Sequence, residues 1–114
     1  MVELKPGVSL RGIQPQMAIA AQIMEALLWD RWGFPCVITS GSEGHHMEAS
    51  LHYRGLALDF RLQGDSGQQE IITGQIANAL GAEFDVVYEP VAGGKYGGPC
   101  WHVEWDPKSP PSLR

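Results

Sequence analysis

Little in this sequence can staple it together. Two cysteines, Cys36 and Cys100, in 114 residues exclude a disulfide-built scaffold. Each stands in a strand-like run, so both read as buried free thiols; a Cys36–Cys100 bridge is the alternative. Positive charge is scarce as well: eight Lys and Arg against thirteen Asp and Glu leave a net charge of −5. That balance excludes nucleic acid or an anionic surface as the main partner, because either needs a basic face. No apolar run approaches the roughly 18 residues of a membrane span, and none is expected. Nor does a basic segment lead into an apolar stretch at the start, so no signal peptide is expected and synthesis in the cytoplasm is. Repeats and composition shifts are missing, which leaves residues 1–114 as a single domain, expected to be a monomer. A hydrophobic share of 44% is enough for one such core without staples.

What is present falls into short, well-punctuated segments. "MVELKPGVSLRGI" reads as an extended arm with turns at Pro6-Gly7 and Gly12. From Pro15, Met17, Ala20, Ala21, Met24, Leu27 and Leu28 recur at helical spacing, and Gly33 with Pro35 ends the run. "CVITS" (36–40) is a β-branched strand, and "GSEGHHMEAS" (41–50) is a loop without period. "GLALDFRL" (55–62) alternates Leu56, Leu58, Phe60 and Leu62 against a face that carries Asp59. A second helix spans about 67–80, capped by Asp65 or Ser66, faced by Ile71, Ile72, Ile76, Ala79 and Leu80, and closed by Gly81. "FDVVYE" (84–89) and "CWHVEW" (100–105) are strands, separated by the glycine-rich loop "PVAGGKYGGP". The tail, 107–114, is proline-rich and expected to be flexible. Helix, strand, strand, helix, strand, strand predicts an α+β fold: a small, mainly antiparallel sheet with helices packed against it.

The chemistry-bearing residues lie between His46 and Glu104. Catalytic zinc sites use three N, O or S ligands from the protein and leave one position for water. His52, Asp59 and His102 form such a set. Seven residues separate His52 from Asp59, an odd number, so the two cannot share one face of a continuous strand. They converge if the chain turns near Tyr53–Gly55, with His102 supplied by a strand that neighbours Asp59 in space.

"SLHYRGLALD" matches the signature S-x-H-x-x-G-x-A-x-D, five fixed types in ten positions. On those residues the chain resembles the zinc D-Ala-D-Ala carboxypeptidases and the phage peptidoglycan endopeptidases. "WHVEW" resembles that family's second signature, and the run from "GHHMEASLHYRGLALDF" through "FDVVYE" to "CWHV" is similar to the hedgehog signalling domain, a relative of the same fold. The resemblance covers roughly residues 36–106. It implies zinc held by His52, Asp59 and His102, a hedgehog-like or peptidase-like fold, and hydrolysis of peptidoglycan stem peptides at a D-Ala-D-Ala or an L-Ala-D-Glu bond. It further implies Glu89 as general base, with His46 and Ser50 as substrate-binding residues. Glu104, which shares a face with His102, is the rival of Glu89 for that role. Association with a bacteriophage, and action at the cell wall after release by a holin, are implied too. A different function remains open on the same residues, a zinc-stabilised binding module without turnover. Calcium is not expected, since "TSGSEG" offers only Glu43.

Overall fold

The N-terminal arm is part of the sheet. Val2–Leu4 forms strand β1, which runs parallel to β2 (Cys36–Ser40) in the register Val2 to Cys36. Three residues are too few to show a period, so the sequence read as a plain extended segment. Pro15 then opens helix α1 (Pro15–Glu25), where its fixed φ suits a first turn whose N–H has no partner. Met17, Ala20 and Met24 are fully buried, and a π-helical stretch, Ala26–Arg31, continues the helix and buries Leu27 and Leu28. Gly33, at φ +75°, ends it before β2.

The other elements of the described residues are strand β3 (Ala57–Phe60), helix α2 (Ser66–Leu80), and strands β4 (Phe84–Glu89) and β5 (Cys100–Trp105). Among the described residues, five strands make one sheet in the order β1-β2-β3-β5-β4, antiparallel throughout except at β1. The expected class, α+β with helices on a mainly antiparallel sheet, is what the chain adopts. β3 is shorter than the alternation in 55–62 suggests, because Gly55 is used in the preceding turn and pairing with β5 ends at Phe60. Asp65 caps α2, accepting the Gln68 amide while the Gln68 side chain returns to the Asp65 N–H. Within α2, Ile72 and Ile76 face inward, whereas Ile71 is 56% exposed.

One face of the sheet is dry. Ile38, Leu58, Phe60, Trp101 and Val103 pack with the buried residues of both helices in a single cluster. The Trp101 indole N–H donates to Thr73 of α2 at 2.9 Å, so this large buried ring leaves no donor unpaired. Cys36 belongs to this core and Cys100 does not; both are free and buried, on opposite faces, and no bridge joins them. The other face of β3 and β5 presents Asp59, Cys100, His102 and Glu104. The structure describes residues 1–43 and 51–107 of this computed structural model. His46, Ser50 and the tail beyond 107 lie outside them. Among the described residues, no helix is long and apolar enough to cross a membrane.

Candidate metal centre

Strand register alone delivers two of the three predicted ligands. β3 and β5 pair so that Asp59 stands opposite His102, and directly opposed side chains are neighbours. His102 Nδ1 lies 2.6 Å from Asp59 Oδ1. His52 comes from a turn that precedes β3. The Gly55 N–H donates to the His52 carbonyl at 3.0 Å, and the Leu56 N–H to the Leu51 carbonyl at 2.8 Å. Gly55 sits at φ +70°, and a Cβ there would stand 2.1 Å from the Gly12 carbonyl oxygen. This left-handed residue resolves the odd spacing, since the turn swings His52 back over the face that Asp59 occupies. His52 Nε2 ends 3.4 Å from Asp59 Oδ1.

All three side chains are out of water: His52 is 4%, Asp59 5% and His102 1% exposed. Buried polar groups are costly unless paired, and here each meets another. Burial pushes the Asp59 carboxyl up, but hydrogen bonds from His102 and His52 outweigh it and hold the group below the usual carboxylate range. Burial likewise lowers His52, and the hydrogen bond and charge of Asp59 overcome it, so the imidazole is raised. His52 Nδ1 is 2.8 Å from the Gly41 carbonyl oxygen. A carbonyl only accepts, so Nδ1 carries a proton toward Gly41; Nε2 is the nitrogen that faces Asp59, donating to it when protonated and free to meet a metal when not. One donor atom from each of His52, Asp59 and His102 lies within 4.8 Å of the others, and the group can hold a metal ion.

No protein-family model and no curated protein matches this chain.

Glu89 is not among the residues whose donor atoms meet within 4.8 Å at the triad. It ends β4 opposite Cys100, and its carboxylate accepts the backbone N–H of Tyr96 at 3.0 Å and of Gly98 at 2.9 Å. It therefore anchors the glycine-rich loop and does not line the cavity in front of the triad. Gly94 packs so closely on this carboxylate that a Cβ there would stand 2.5 Å from Oε2. Glu104 is the carboxylate beside the centre, with Oε1 2.7 Å from His102 Nε2. Asp85 and Asp106 lie near Glu104 on its far side, all three within 4.8 Å. No thiol belongs to the triad, although Cys100 lines the same cavity.

Sequence reasoning missed Tyr96. The anchored loop lays its ring flat on His102, with centroids 3.5 Å apart and planes 7° from parallel. Its hydroxyl donates to Glu104 at 3.3 Å. A lone aromatic among four glycines was the available signal. The cavity, about 870 Å³ and open to solvent, is also lined by Lys5, Arg61 and Lys95. Three of the eight cations in an acidic chain thus face one opening.

Proposed function

We propose that this chain is a zinc-dependent peptidase of bacterial cell-wall peptides, cleaving peptidoglycan stem peptides as a D-Ala-D-Ala carboxypeptidase or an L-Ala-D-Glu endopeptidase of the phage-associated kind. The observation that carries the reading is the buried triad of His52, Asp59 and His102 at the floor of an open cavity. Two imidazoles and one carboxylate, with no thiolate, form a donor set suited to a catalytic zinc rather than a closed structural one. When bound, zinc supplies a Lewis acid and an activated water for peptide hydrolysis. The chain's own residues supply the rest. Lys5, Arg61 and Lys95 give the cavity positive charge, which draws the carboxylates of a stem peptide despite the negative whole molecule. Lys95 stands 5.3 Å from the Tyr96 ring centre, so both approach the opening on one loop. The general base that the resemblance implies is Glu89, whose carboxylate here accepts the N–H groups of Tyr96 and Gly98.

That same observation favours a second reading, a zinc-holding binding module without turnover. One experiment separates them: metal analysis of the purified protein, coupled to digestion of defined muropeptides with and without chelator. Stoichiometric zinc with chelator-sensitive cleavage is the expected result. Stoichiometric zinc without cleavage selects the binding module, and absence of zinc overturns both.

A further inference from the structure

Glu104 follows His102 by two residues on β5, so their side chains share one face of the strand. Its Oε1 is 2.7 Å from His102 Nε2 and 3.3 Å from the Tyr96 hydroxyl. An ionised carboxylate only accepts, so both contacts run toward it, from Nε2–H and from O–H. His102 Nδ1, 2.6 Å from the Asp59 carboxylate, carries a proton of its own in the metal-free protein; a metal at the centre would take that proton's place while the Nε2–H stays on Glu104. His52 is arranged the other way round, with Nδ1–H on the Gly41 carbonyl and Nε2 toward Asp59. The two histidines therefore face the centre with opposite nitrogens, each set by the group behind it. Exposure of 8% for Glu104 and 1% for His102 leaves water little access to either side chain.

We infer that Glu104 is the positioning carboxylate of the centre: it takes the Nε2–H of His102 and, with Tyr96 stacked on the ring, presents Nδ1 to the metal. The inference rests on the metal reading proposed above. A partner behind a ligating histidine fixes its tautomer and ring plane and raises its basicity, and losing it typically weakens metal binding about 10–100-fold. Tyr96 adds a second constraint, because its nearly parallel ring stops the imidazole from tilting.

The test uses zinc affinity, from competition with a chromogenic chelator, and nitrogen-15 NMR of the metal-loaded protein. Wild type should bind through His102 Nδ1 and show a slowly exchanging Nε2–H. Glu104→Ala should bind toward 100-fold more weakly, within the range of about 10–100-fold, and lose that slow exchange. Glu104→Gln keeps the shape and an accepting oxygen, so it should fall between the two and retain the protected Nε2–H. This rescue separates positioning from a merely structural role, and Glu104→Gln carries the comparison alone if the alanine variant does not fold. Wild-type affinity in a folded variant, or ligation through His102 Nε2, overturns the inference while the metal reading stands. A wild type that takes up no zinc overturns the metal reading and this inference with it.

Discussion

Glu43 does for His52, through backbone, something close to what Glu104 does for His102. Its Oε1 accepts the N–H of Ser9 at 2.9 Å and of Gly41 at 2.8 Å, and its Oε2 accepts the Ser40 hydroxyl at 3.1 Å. Gly41 is also the residue whose carbonyl holds His52, so one carboxylate ties the arm to the end of β2 and steadies that peptide. Burial pushes the Glu43 carboxyl up, but the N–H groups of Ser9, Glu43 itself and Gly41 and the Ser40 hydroxyl outweigh it, holding it below its ordinary value. A carboxyl lowered in the folded state adds stability above its unfolded pKa, and that stability is lost as pH falls through the folded value. Glu43→Gln should therefore cost about 1–2 kcal/mol at neutral pH, the scale of charge-assisted hydrogen bonds made neutral. The gap should narrow on acidification, since a protonated Glu43 resembles the amide. Urea midpoints for both proteins across acid pH check this, and a gap that stays constant to low pH would remove the carboxylate from the account.

Elements with their own punctuation were legible, and those set by distant partners were not. "CVITS", "FDVVYE" and "CWHVEW" are strands to the residue, because β-branched and aromatic runs there meet glycine or proline at one end or both. β1 has no period of its own and exists through pairing with a strand far along the chain. The π-helical stretch after Glu25 was invisible too, since Met24, Leu27 and Leu28 keep helical spacing in either form. In the centre, alternation along β5 and the odd spacing to His52 foretold which residues meet. Where the Glu89 carboxylate turns depends on loop amides, which no side-chain pattern encodes. The turn at Gly55 is the element on which convergence depends. Gly55→Ala forces a side chain into the left-handed region and against the Gly12 carbonyl, which should cost at least about 1–2 kcal/mol. It should lower zinc uptake as well, because His52 leaves its place. Unchanged melting and unchanged uptake together would show that another residue sets the turn.

At the scale of the whole molecule, one sheet face carries an apolar core and the other a buried polar group. His52, Asp59, Glu89, His102 and Glu104 are all buried within 114 residues, a heavy load of desolvation for so small a domain. The metal-free fold holds them by mutual hydrogen bonds, and a cation at the triad would offset the carboxylate charge far better. Binding to the native state alone stabilises it by about 2.7 kcal/mol when free ligand reaches about 100 times its dissociation constant. In a domain of this size each kcal/mol moves the midpoint by roughly 4–8 °C, so saturating zinc should raise it by about 10 °C or more. Chelator should reverse the rise. His52→Ala should abolish the increment, whatever it does to the metal-free midpoint, because the comparison is made within each protein. The increment should shrink on acidification, since protons and metal compete for the same imidazole nitrogens. Scanning calorimetry of both proteins with zinc and with chelator reads all of this. An equal rise in wild type and His52→Ala would place the stabilising ion elsewhere on the surface, and no rise in wild type would leave the triad a hydrogen-bonded structural cluster.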